Sequence, residues 1–273
     1  MTTILIILLL GVGYWVYYAG HRSYSYLLIP IVMALVIVQI FEPQIKWLAA
    51  KSHPIRVDKV IRRMLSDTFL FYQNLPEPLR ESFDKRLWLI IRHKDWTGMK
   101  LSSIPEDIKA VAMVPAIAMT MNKEDFLFEK YERVILYKHP FPSPRFHAWH
   151  ASETNHEEGV IIFSIEQLFN AFLHPDKYYN VAFHEWSAIY IRTFDDDTFS
   201  GMKWLNWEEL EQIAPYGKEH IEAWLGLPVE DLRQVTLHHY FIFPRQMQKV
   251  TPDVFDFLER VFKPVNKTGV LSI

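Results

Sequence analysis

The chain has no cysteine. That excludes disulfides, thiolate metal sites and cysteine nucleophiles, without choosing a compartment. It also has little excess charge, a formal −3 at pH 7. The basic excess of a nucleic-acid-binding surface is therefore missing, and no nucleic acid is expected as a partner. No internal repeat or low-complexity segment is present. Charge is missing altogether from two stretches, Thr3 to Gly20 and Tyr24 to Phe41.

What is present is apolar and aromatic. Half of the 273 residues are hydrophobic and 15% are aromatic, which implies a large core or a membrane segment. Each uncharged stretch would span about 27 Å as a helix, close to the thickness of a hydrocarbon core. Only His21-Arg22-Ser23 separates them, so residues 1–43 are expected to form an antiparallel transmembrane hairpin. The competing reading is a signal peptide followed by one span. It is disfavoured because Met1-Thr2-Thr3 lacks a basic n-region and no small-residue cleavage site precedes a polar start. Tyr14, Trp15, Tyr17, Tyr18, Tyr24 and Tyr26 cluster near the turn, as an aromatic belt would.

Residues 44–63 carry Lys46, Lys51, Arg56, Lys59, Arg62 and Arg63 against one acid, Asp58. The turn carries only Arg22. This asymmetry places the chain in a cytoplasmic (inner) membrane with its C-terminal domain facing the cytoplasm. The basic segment is expected to lie against the anionic headgroups of the lipid bilayer.

Residues 64–265 read as one soluble domain, with a short tail over 266–273. Helices are expected over Leu65 to Leu75, Phe83 to His93 and Glu106 to Met121, the last opened by a capping box of Ser103 and Glu106. Strands are expected over Tyr131 to Lys138 and Gly159 to Phe163. Ser164-Ile165-Glu166-Gln167 reads as a second capping box, for a helix through Phe172. Residues 141–158 hold His147, His150, His156, Glu153, Glu157 and Glu158. Their spacing matches no standard metal site, so this stretch reads as a solvated loop. Glu208 to Ile213, Val229 to Ile242 and Pro252 to Phe262 complete the helices.

The most informative stretch is Asn180 to Arg192, NVAFHEWSAIYIR. It reads as a buried helix capped by Asn180 and ending before Asp195-Asp196-Asp197, with Trp186 and Ile189 in the core. In an H-E-x-x-H helix, two histidines four residues apart share a face and hold one zinc ion, while the adjacent glutamate activates the metal-bound water. Here His184-Glu185 is followed at the second ligand position by Ala188, whose methyl group binds no metal.

The order of pieces resembles the zinc peptidases related to Mlc titration factor A. The resemblance covers roughly residues 65–262. It rests on Val111-Ala112-Met113-Val114-Pro115-Ala116, on Tyr131 to Phe141, on Gly159 to Ser164 and on Asn180 to Glu185. It also rests on Val229 to Pro244 and, weakly, on Pro252-Asp253-Val254-Phe255. It implies a mainly helical α+β, zincin-like domain and a zinc cofactor. The family's first zinc histidine falls on His184 and its general base on Glu185. Its second histidine falls on Ala188, and the aspartate three residues further on falls on Ile191. The third ligand falls on Asp231, with Glu230 beside it, and a later glutamate falls on His238.

Three readings follow. In the first, a membrane-anchored, zinc-peptidase-like protein is catalytically impaired and acts by binding a cytoplasmic protein partner. In that case His184 and Glu185 are a buried polar pair satisfied by neighbours such as Asp231 or His238. In the second, it is an active zinc-dependent peptidase with non-standard ligands, His184, Asp231 and His238. In the third, the hairpin is the working part and the domain a plug, yet the hairpin has no intramembrane charge to support transport. Because the longest apolar runs end at residue 41, a chain beginning near residue 60 is expected to be soluble and to unfold cooperatively. Aggregation of that shortened chain without a cooperative transition would argue against a separate domain.

Overall fold

The computed structural model describes residues 2–18, 26, 28–40 and 57–264. It divides into two compact units, Met1–Ile55 and Arg56–Ile273. In the first unit, α1 (Thr2–Tyr18) and α2 (Leu28–Ile40) pack against each other. They are built mostly of Leu, Ile and Val, with Tyr14, Trp15, Tyr17 and Tyr18 at the end of α1. Leu10, Tyr14, Ile29 and Met33 are each more than half exposed. The described helices have 17 and 13 residues. Among the described residues no helix is long and apolar enough to cross a membrane. The turn at 21–23, the ends of both runs and the basic segment up to residue 56 lie outside the described residues, as does the tail from 265.

The second unit is the mainly helical α+β domain. It begins with α3 (Lys59–Thr68), α4 (Leu70–Gln73) and α5 (Glu77–His93), followed by β1 (Asp95–Gly98) and α6 (Glu106–Thr120). Then come β2 (Arg133–Tyr137), β3 (Ser152–Asn155), β4 (Val160–Ser164), α7 (Ile165–Leu173) and α8 (Val181–Thr198). The chain closes with α9 (Trp207–Ile213), α10 (Lys218–Leu225), α11 (Leu232–Ile242), α12 (Pro244–Val250) and α13 (Pro252–Phe262).

The sheet order is β1-β2-β4-β3. β2 runs parallel to β1 and β4, pairing Val134 with Trp96 and with Ile161. β3 runs antiparallel to β4 at the edge, with Glu153 opposite Ile162. The β-branched residues of β2 and β4 suit interior strands. In the β3–β4 hairpin, Asn155 Oδ1 accepts from the backbone N–H groups of Glu157 and Glu158, both at 3.1 Å. Gly159 closes the turn at φ +64°, where a Cβ would lie 1.8 Å from the Lys130 carbonyl oxygen.

The core is centred on α6 and α8. Residues Ala110 to Thr120 of α6 are all buried, since alanine and methionine leave no polar face. Trp186 on α8 is fully buried and its Nε1–H donates to the Ala112 carbonyl at 2.7 Å. Ile189 is equally buried. Lys94, at the end of α5, turns inward and donates to the carbonyls of Leu127 (2.5 Å) and Phe128 (3.1 Å).

Several local expectations are corrected. Ser103 does not cap α6: Pro105 is its N-cap, and Glu106 instead meets Arg92 and Lys109 at 3.1 and 3.2 Å. Ser164 makes no bond to the backbone of α7, because its hydroxyl is taken by the Gln167 side chain. α8 continues through Asp195-Asp196-Asp197 to Thr198. Aromatic packing carries it past the acids, Phe194 against Phe128 and Tyr190. The stretch 141–158 is a solvated loop only in part: 142–149 is largely exposed and without regular structure, whereas what flanks it is built in. Phe141 and His150 form a bridge, and His150 to Thr154 are buried. α11 begins at Leu232 rather than Val229, capped by Asp231.

The C-cap of α10 is Gly226, at φ +77°. A Cβ there would lie 2.1 Å from the Trp149 carbonyl oxygen, and the next bond upstream runs from Ala151 N–H to the Leu225 carbonyl at 2.7 Å. Gly226→Ala is therefore expected to lower unfolding free energy by at least about 2 kcal/mol, from left-handed strain plus a backbone clash. A urea midpoint equal to the parent's would contradict this account of the turn.

Candidate functional site

The site is built on the first three turns of α8. Asn180 fixes the start of the helix, its Oδ1 accepting from Ala182 N–H (3.0 Å) and Phe183 N–H (3.1 Å). His184, Ala188, Ile191 and Arg192 then fall on one face. That face forms one wall of a cleft of about 690 Å³. β3 contributes Ser152, Glu153 and Thr154; the preceding loop contributes Arg145 and Phe146; the segment before α11 contributes Glu230 and Asp231.

Glu185 is buried, 7% exposed, at the floor of this cleft. One carboxylate oxygen accepts from Ser152 Oγ at 2.7 Å and the other from Thr154 Oγ1 at 2.6 Å. Burial pushes its pKa up, and the Thr154 and Ser152 hydroxyls oppose that rise. Ser152 and Thr154 face the same way because they alternate along β3.

His184 also lines the cleft, and burial pushes its pKa down to about 4. Its Nδ1 lies 2.9 Å from the Tyr179 hydroxyl. Tyr179 is fully buried, and among the described residues His184 is its hydrogen-bond partner. The hydroxyl therefore donates to Nδ1, leaving the ring proton on Nε2.

His238 stands elsewhere. It is fully buried, and its Nε2 accepts from the Asn180 backbone N–H at 3.0 Å. Its proton is thus on Nδ1, which lies 3.0 Å from His239 Nδ1. His239 must accept there and carry its own proton on Nε2, which is buried without a partner among the described residues. Both nitrogens of His238 are committed to the scaffold, and it does not line the cleft.

Asp231 does line the cleft, but as the N-cap of α11, not as a residue within it. Its carboxylate accepts from Arg233 N–H (2.9 Å) and from Arg233 Nε (3.0 and 2.9 Å). The structure thus brings His184, Glu185, Ala188, Glu230 and Asp231 to one cleft and leaves His238 in the core. The polar partners of His184 and Glu185 are Tyr179, Ser152 and Thr154, rather than Asp231 or His238. No sequence motif marks these three, since single hydroxyl residues occur in every stretch of chain.

These residues do not fit a zinc ion. Among the described residues no group of three or more His, Asp or Glu side chains is close enough to hold a metal. A metal on His184 Nε2 would have to reverse the tautomer and leave the Tyr179 hydroxyl without an acceptor. Both oxygens of Glu185 are already held, and Asp231 is engaged by Arg233.

A protein-family model described as glucose-regulated metallo-peptidase M90 matches residues 44–188. The match takes in β1 to β4 and α8 as far as Ala188. No curated protein matches the chain.

The buried histidines make stability depend on pH. Burial holds His239 down to about 3, from an ordinary 6.5. Its contribution is fully present above 6.5. It is lost as pH falls toward 3, because the unfolded chain takes up a proton that the folded one refuses. Between pH 7 and pH 5 this amounts to about 2 kcal/mol. Urea midpoints at the two pH values should differ less in His239→Phe than in the parent; an unchanged difference would mean that this ring does not stay neutral.

Proposed function

Because the chain belongs to the glucose-regulated metallopeptidase M90 family, we propose that it is a member whose cleft binds a peptide segment of a cytoplasmic protein without hydrolysing it. The observation that carries this reading is the state of Glu185. In a working H-E-x-x-H site that carboxylate faces the metal-bound water. Here both of its oxygens are held by Ser152 and Thr154, and the second ligand position is Ala188. A cleft of about 690 Å³ remains beside it, large enough for several side chains of an extended peptide.

We extend the proposal to the membrane. α1 and α2 carry no charged residue and present apolar side chains outward, with Leu10, Ile29 and Met33 exposed. Such a surface favours a cover, and a bilayer, with the basic segment 44–63 on its cytoplasmic side, supplies one. The competing reading, an active zinc peptidase with non-standard ligands, draws its support from His184, Glu230 and Asp231 sharing the cleft.

Elemental analysis after dialysis separates the two readings. The parent is expected to hold much less than one equivalent of zinc and to cleave no peptide. Ala188→His would supply a second histidine on the same face as His184, one turn along, and is expected to raise zinc retention. Activity need not return with it, because Ser152 and Thr154 still hold Glu185. Stoichiometric zinc in the parent, lost in His184→Ala, would overturn the non-hydrolytic reading. If it were also lost in His238→Ala, the altered ligand set would be the one expected from sequence.

A further inference from the structure

Beyond Glu185, the cleft holds cations that lack acidic partners. Arg145 sits in a tight turn between the bridged residues Phe141 and His150. The turn is closed by Ser143 N–H to the Phe146 carbonyl (2.8 Å) and by Phe146 N–H to Ser143 Oγ (3.0 Å). The Arg145 guanidinium lies over the Phe146 ring, 4.9 Å from its centroid, and contacts the Thr154 carbonyl at 3.5 Å. Arg192 lies on α8 one turn beyond Ala188 and two beyond His184, on the same cleft-lining face. His156 follows β3, its Nδ1 held by the Tyr131 hydroxyl at 2.9 Å. All three line the cleft.

Three of the four acids that line the cleft, Glu153, Glu185 and Asp231, are engaged by other groups, and the fourth is Glu230. Glu153 pairs with His150 at 3.3 Å, and Asp231 with Arg233 at 2.9 Å. Glu230 projects from the segment that precedes α11. Among the described residues neither Arg145 nor Arg192 has a carboxylate within ion-pair distance. The environment of His156 agrees: burial lowers its pKa, then Arg192, Lys130 and Arg145 lower it further, and no acid offsets them.

The geometry points to an anion subsite, formed by Arg145, His156 and Arg192, that receives a carboxylate of the bound peptide. The carboxylate comes from an acidic side chain or the peptide's C-terminus. This rests on the reading of the cleft as a peptide-binding groove and adds the class of peptide it selects. Two guanidinium groups can each offer paired N–H donors to a carboxylate, an arrangement that gives the stronger class of hydrogen bond. One of them is pre-set by its contacts with Phe146 and Thr154, so less ordering is required on binding.

The test uses the full chain and two dye-labelled octapeptides, alternating Ala-Glu and Ala-Gln, each with amidated and free C-termini, in fluorescence anisotropy. The Glu peptide is expected to bind at least about tenfold tighter than its Gln counterpart. That preference should fall to within about twofold in Arg145→Gln/Arg192→Gln. Arg245→Gln, an exposed arginine on α12, should keep it, and thermal unfolding should show all variants folded. Equal binding of the amidated Glu and Gln peptides with no gain from a free C-terminus, or a preference for either carboxylate that survives the double substitution, overturns the subsite while leaving the peptide groove standing. Binding of neither peptide overturns the groove and the subsite together. Inorganic phosphate that displaces the Glu peptide at concentrations comparable to the peptide's own would assign the site to phosphate and overturn the carboxylate.

Discussion

Everything at the centre of this domain depends on where one buried carboxylate finds its donors. Glu185 is carried on α8, and its two hydroxyl partners are carried on β3. An ionised carboxylate left unpaired in that position would cost several kcal/mol. The helix and the edge strand are therefore held in one register by the need to satisfy it. This also accounts for the composition of β3. Its Ser-Glu-Thr-Asn sequence is unlike a buried strand, yet three of its four residues are buried, because their polar atoms are needed inside.

The same arrangement explains what was and was not legible in the sequence. The helix through His184 was legible because His-Glu sits inside an apolar run of helical length, and α6 because Ala and Met leave no polar face. β2 and β4 were marked by β-branched residues. β3 carries no such mark and its sequence reads as part of a solvated loop, since nothing local says that a serine and a threonine answer a carboxylate some thirty residues away. The capping boxes at Ser103 and Ser164 failed for a related reason. In each case a side chain expected to serve the backbone met another side chain instead, Arg92 and Lys109 for Glu106 and Gln167 for Ser164. Of the residues picked out for the site, those near the start of α8 were placed by helical geometry alone. Asp231 depended on a helix boundary, and the start of α11 at Leu232 made it a cap, whereas His238 was taken into the core by the Asn180 amide.

Family membership and the side-chain chemistry point in different directions at the metal position. The matched region ends at Ala188, and the groups around it have other commitments: a tyrosine for His184, two hydroxyls for Glu185, an arginine for Asp231. Each commitment is individually modest. Together they give the cleft a fixed lining, with the cationic side chains Arg145 and Arg192 left to meet whatever enters.

The hydrogen-bond chain from Asn180 through His238 to His239 has a direction. The Asn180 backbone can only donate, so every proton downstream is pointed the same way, and the chain ends on a donor with nowhere to go. That amide is sealed between α8 and the ring of a residue on α11. It can exchange its hydrogen with water only when the two helices part. The deuterium uptake of this one backbone position is therefore a clock for the opening of the whole scaffold, set at the residue where the helix bearing His184 and Glu185 begins.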